Sequence, residues 1–68
     1  MEVEEILAQK LKAYREQEDY TQEEMAYLLG LSTKGYRKIE TCAVSTTLRT
    51  LRKISKVTKM SITVLLSL

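Results

Sequence analysis

The sequence predicts an all-α domain of five short helices with a helix-turn-helix at its centre. Three observations carry that expectation. The 68 residues include no proline and only two glycines, so little interrupts a helix. Apolar residues recur at spacings of three and four in successive segments. Polar residues suited to helix N-termini, Thr21, Ser32, Thr47 and Ser61, stand just before four of those segments.

The first helix is expected over residues 3–17, with Ile6, Leu7, Leu11 and Tyr14 on one face toward the core. The acids at its start suit the positive end of the helix dipole. Lys10 and Lys12 read as surface charges. The second helix is expected over 22–29. Thr21 and Glu24 form a capping-box pattern at its start, and Met25, Leu28 and Leu29 fit one face. Gly30 ends it where a left-handed backbone is wanted. Ser32 caps a third helix over 33–40, whose apolar positions are Tyr36 and Ile39. Neither of these helices is long enough to stand alone, so the rest of the chain must cover them.

A loop over 41–46 follows. Thr47, or Thr46, caps a fourth helix over 48–57. Leu48, Leu51 and Ile54 mark its buried side, with Arg49, Arg52, Lys53 and Lys56 outside. Ser61 caps a last short helix holding Ile62, Leu65 and Leu66, and Met60 stands where a hydrophobic staple would. The tail from Val64 to Leu68 is strongly apolar. The core needs only part of it, and the remainder favours dimerisation.

The chain is long enough for one small domain over residues 1–68, with no linker or repeat. An apolar share of 44% is ordinary for a folded protein. No apolar run approaches the roughly 20 residues a bilayer requires. Glu2, Glu4 and Glu5 stand where a secretory signal would be basic. A lone cysteine, Cys42, cannot form an internal disulfide, and a reducing, cytoplasmic location is the simple reading. Net charge is only +2, but residues 1–24 carry eight acids against three bases, and residues 25–68 one acid against eight bases. The basic half suggests a polyanion, with nucleic acid as the default. The alternative is that these are solvated helix faces.

Catalysis has little to stand on. Without histidine the commonest general base is missing, and Cys42 has no imidazole to activate it. No Gly-rich phosphate loop and no Cys/His cluster at metal-ligand spacing occurs, so neither cofactor nor metal is expected.

The stretch from Gln22 to about Thr41 resembles the helix-turn-helix of the phage-repressor and Cro family, also called the Xre type. Gln22, Ala26 and Gly30 match the family's glutamine, alanine and glycine. Met25, Leu29, Leu31, Tyr36 and Ile39 match its apolar positions, and Ile39-Glu40 its closing pair. The resemblance runs without a gap from about Ile6 to Leu66, and it implies the five-helix lambda-repressor-like fold. It further implies that Arg15 pairs with Glu40, clamping the first helix to the third, where the alternative is two independent exposed charges. Tyr36 then fills the family's buried Ile/Val position. Tyr20 packs inward where the family commonly has leucine.

In a helix-turn-helix the second of the two helices lies in the major groove, its N-terminal side chains on base edges. The resemblance assigns Thr33, Lys34 and Arg37 to that role. Arg37 suits the O6 and N7 of a guanine, and Thr33 a thymine methyl. Lys34 can do the same less rigidly, or bind phosphate. Gln22, Ser32 and Lys38 are the expected backbone contacts. Gly35 either permits a close approach or is simply tolerated, at about 1 kcal/mol relative to alanine.

Two departures stand out. The family places glycine after the third helix and then bases that grip phosphate; here Cys42, Ala43 and Val44 follow. Thr58 and Lys59 replace the usual leucine and glycine between the fourth and fifth helices. The leading expectation is a sequence-specific DNA-binding transcriptional regulator, a repressor acting on double-stranded DNA as a homodimer through its C-terminal segment. The apolar loop and tail motivate an alternative. In it the same fold is a protein-interaction module, such as a phage antirepressor that binds a partner repressor. A third reading is the DNA-binding part of a longer repressor or antitoxin.

Overall fold

The computed structural model describes residues 2–67. Five helices follow in order: α1 (Val3–Gln17), α2 (Gln22–Leu28), α3 (Thr33–Glu40), α4 (Leu48–Thr58) and α5 (Ile62–Leu65). They agree with the expected spans, with α2 one residue shorter and α4 one longer. The described residues contain no strand.

Each helix start is satisfied by a nearby side chain. At α1 the Glu2 amide donates to Glu5 Oε1 at 3.1 Å. At α2 the capping box is complete: Glu24 N–H reaches Thr21 Oγ1 at 3.1 Å and Thr21 N–H reaches Glu24 Oε1 at 2.8 Å. Ser32, Thr47 and Ser61 accept from the amides of Gly35, Thr50 and Val64. Thr47, rather than Thr46, is thus the cap of α4.

The ends of α1, α2 and α3 share one device. Asp19, Gly30 and Cys42 take left-handed φ values of 60°, 69° and 61°. In each case the next amide returns to the carbonyl five residues back. The pairs are Tyr20 to Arg15 at 2.9 Å, Leu31 to Ala26 at 2.8 Å and Ala43 to Lys38 at 2.8 Å. These are Schellman closures, which satisfy carbonyls that the helix leaves over. The missing glycine after α3 therefore does not change the turn, since Cys42 adopts the glycine-like backbone itself. Lys59 does the same after α4, with φ 61°. There Thr58 is buried: its hydroxyl donates to Ile54 O at 2.7 Å and accepts from Met60 N–H at 3.3 Å.

The core is Leu7 and Leu11 of α1, Met25, Ala26 and Leu29 at α2, Tyr36 and Ile39 of α3, Leu51 and Ile54 of α4, and Leu65 of α5. α3 packs against both α1 and α2, while α5 packs against α1 and α4. Ile6 is buried, and Tyr14 is half-buried with its hydroxyl donating to Val57 O at 3.1 Å. Tyr20 packs on the core, its ring centroid 6.5 Å from that of Tyr14.

Two expected core residues are on the surface. Leu48 is 67% exposed. It opens α4 directly after the cap, and at helical pitch it points about 120° away from Ile54. Buried Thr58 occupies the lower end of that face instead. Leu28 is 42% exposed, because Met25, Ala26 and Leu29 fill the inner face and Leu28 lies about 100° round from Leu29. The tail divides as its composition suggests: Leu65 is buried, Leu66 half-buried and Val64 exposed. Leu68 lies outside the described residues. No described helix is long and apolar enough to cross a membrane.

Candidate nucleic-acid interface

α3 has two unlike sides. Tyr36 and Ile39 turn inward and are buried, while Lys34, Arg37 and Lys38 are exposed and Thr33 is half-exposed. Helical spacing produces this: residues three apart share a face, so 36 and 39 turn inward together, 34, 37 and 38 fall on the other side, and 33 lies at the edge between them. Ser32 is exposed at the mouth of the helix, its hydroxyl holding the Gly35 amide at 3.0 Å. A Cβ at Gly35 would stand 3.1 Å from that hydroxyl, so glycine leaves the cap uncrowded.

Behind the exposed face lies a polar anchor centred on Glu40. Arg15 Nε donates to Glu40 Oε2 at 2.7 Å and Arg15 Nη2 to Oε1 at 3.3 Å. Arg15 Nη1 also reaches Tyr20 O at 3.2 Å, tying the end of α1 into the same cluster. The Tyr36 hydroxyl donates to Glu40 Oε2 from within the core. Gln22 Nε2 donates to Glu40 Oε1 at 3.2 Å, and Gln22 Oε1 accepts from Arg37 Nε at 2.9 Å. Among the described residues no buried side-chain nitrogen or oxygen lacks a partner.

The electrostatics follow from these contacts. Burial alone would raise the Glu40 carboxyl, but the hydrogen bonds from Arg15, Tyr36 and Gln22 outweigh it and hold the pKa below the ordinary value. The bond to Glu40 raises the Arg15 guanidinium against the opposing effect of burial. Burial and then the Glu40 hydrogen bond push the Tyr36 phenol well above its ordinary value. Glu40 is thus a fixed negative charge that only accepts.

The structure brings Gln22, Arg37, Glu40 and Arg15 into one connected group. Thr33, Lys34 and Lys38 stand around it on α3. Sequence reasoning missed the hydroxyl role of Tyr36, although a tyrosine four residues before a glutamate on one helix is a readable pairing. It also missed that Gln22 is committed to protein partners at both ends of its amide. On the flank, a Cβ added at Gly30 would lie 3.3 Å from Lys53 Nζ, so one base of α4 sits against the turn between α2 and α3. No group of three or more described Cys, Asp or Glu residues could hold a metal.

A family model described as Helix-turn-helix matches residues 11–65, most of the chain. The chain belongs to the phage-repressor/Cro, Xre-type helix-turn-helix family. No curated protein and no solved structure matches it. As a member of the Xre-type family the chain is a DNA-binding helix-turn-helix regulator of transcription. That family is one of regulators and not of enzymes. Within the Xre-type frame, α2 and α3 are the motif itself, with Ala26 in the first of its helices and Gly30 in the turn between them. Ala26 is buried, and Gly30 supplies the positive φ between the two helices.

Proposed function

We propose that this Xre-type chain is a sequence-specific repressor of the Cro kind that reads the major groove with α3. The supporting observation is that Lys34, Arg37 and Lys38 stand in solvent on a helix whose opposite face, Tyr36 and Ile39, is buried. Thr33, Lys34 and Arg37 read base edges, and Ser32 and Lys38 lie along the backbone of the duplex. Two copies act together, with recognition helices roughly 34 Å apart on a partly symmetric site. The dimer surface includes the C-terminal segment. A shallow, mainly apolar depression there is lined by Val3, Leu7, Leu51 and Leu66, with Glu4, Ser45 and Thr46 completing its rim, and Val44 and Leu48, close in sequence to that rim, are exposed.

The test is a gel-shift titration of the chain on random and selected duplexes at rising salt. Binding to random duplex appears at low salt and falls steeply, by about 0.9 in log affinity per log salt for each phosphate neutralised. A selected duplex then binds more tightly than random at every salt.

One observation favours a second reading. The loop after α3 exposes Val44 where the family carries phosphate-gripping bases. A chain built to bind a protein, as an antirepressor binds a repressor, has use for such a loop. No shift at any salt, with a stable complex formed on a purified partner repressor, supports that reading over the first.

A further inference from the structure

We propose that Gln22 is a positioning residue for base choice: held by Glu40 at one end of its amide, it sets the direction in which Arg37 reads. This rests on the assignment of Arg37 to base edges, and it differs from the backbone role that resemblance gives Gln22.

The chemistry permits only one orientation of the amide. Glu40 is deprotonated and can only accept, while the Arg37 guanidinium can only donate. Gln22 lies between them, with Nε2 3.2 Å from Glu40 Oε1 and Oε1 2.9 Å from Arg37 Nε. Turning the amide over would set oxygen against carboxylate and NH2 against guanidinium, two repulsive contacts in place of two hydrogen bonds. The ambiguity of amide assignment is therefore resolved by both neighbours together.

Glu40 is itself immobile. Arg15 grips it from α1 and Tyr36 from the core, and its side chain is only 5% exposed. Rigidity thus passes outward from a buried carboxylate, through a half-buried amide, to an exposed guanidinium. Among the described residues, the contact to Gln22 is the one hydrogen bond that Arg37's side chain makes within the protein. It engages Nε and leaves both terminal nitrogens of the planar fork free. That fork is the part of arginine that matches guanine O6 and N7. Fixing a long side chain before binding removes ordering cost from the bound state and narrows the bases it can meet.

The experiment uses the whole chain, Gln22→Met, which keeps length and packing but loses both amide contacts, and Arg37→Ala. Thermal melts establish that both variants fold. In the DNA-free protein, the Arg37 Nε–H resonance is slowed in exchange with water in the parent and loses that protection in Gln22→Met. Each protein then selects from a randomised duplex pool, and the selected sequences are read. A bidentate arginine–guanine contact discriminates about 5- to 150-fold. Arg37→Ala abolishes preference at one base-pair position of each half-site. Gln22→Met weakens preference at that same position by roughly 3- to 10-fold and leaves the others within about twofold. Equal weakening at all positions overturns the inference and makes Gln22 a backbone contact. Unchanged preference at the Arg37 position overturns it too, while base reading by Arg37 stands. A parent chain that enriches no sequence overturns both.

Discussion

Arg15 Nε and Glu40 Oε2 meet at 2.7 Å across 25 positions of sequence, joining the end of α1 to the end of α3. Their side chains are 15% and 5% exposed, so water screens the pair little. Arg15→Met strands the Glu40 carboxylate without its cation. The expected cost is about 3–5 kcal/mol of unfolding free energy, measured by urea denaturation. A loss below about 1 kcal/mol would describe an exposed pair and contradict this burial.

The same cluster predicts pH dependence at both ends. The folded Glu40 carboxyl lies below its unfolded value, held there by hydrogen bonds that outweigh burial. Between those two values the unfolded chain binds more protons, so stability rises with pH. The contribution is complete above the ordinary carboxylate value of about 4.3 and is lost as pH falls through the folded value. Tyr36 has the opposite sign. Its phenol is raised, first by burial and then by Glu40, so above about pH 10 the unfolded chain loses a proton that the folded one keeps, and stability declines. Urea midpoints across the pH range check both limbs. Glu40→Gln flattens the acid limb and Tyr36→Phe the alkaline one.

Most of this architecture is legible in the residues because it rests on local rules. Thr21, Ser32, Thr47 and Ser61 are caps by type and place, and the spacing of Leu7, Leu11, Tyr36 and Ile39 marks their faces. What escapes is decided at edges or across the chain. Leu48 and Leu28 are apolar and regularly spaced, yet they fall just outside faces whose width depends on neighbouring helices. Cys42 in a glycine conformation is invisible to composition, because the Schellman bonds of α3 impose that φ. The amide of Gln22 bridges residues 18 and 15 positions away, and no local pattern encodes such a bridge.

The left-handed turns yield a paired prediction. Gly30 sits at φ 69°, and its nearest obstacle to a Cβ is the flexible end of Lys53, so conformation rather than space is the cost there. Gly30→Ala loses about 1–2 kcal/mol. Cys42 already bears that strain at φ 61°. Cys42→Gly relieves it but gives the unfolded chain more freedom, for a net gain of up to about 1 kcal/mol. Thermal melts of the two variants move in opposite directions.

Leu48 tests the proposed dimer. Its side chain is mostly in solvent, so Leu48→Lys changes monomer stability by less than about 0.5 kcal/mol. A charge placed in an apolar interface weakens association. Sedimentation at increasing concentration shows the parent shifting toward dimer before the variant does. Identical curves would remove Leu48 from any self-association surface.

Arg37 and Lys38 are neighbours in sequence but differ in their attachments. Arg37 is tethered to Gln22, whereas Lys38 is exposed and uses its backbone carbonyl to close the end of α3. On the proposed reading, Arg37→Ala weakens the selected duplex by about 1–3 kcal/mol and relaxes one base preference. Lys38→Ala instead weakens every duplex alike and lowers the salt slope by about 1. Binding isotherms on selected and random duplexes at several salt concentrations separate the two. If Arg37→Ala behaves as Lys38→Ala does, its guanidinium grips phosphate, and base choice falls to Thr33 and Lys34.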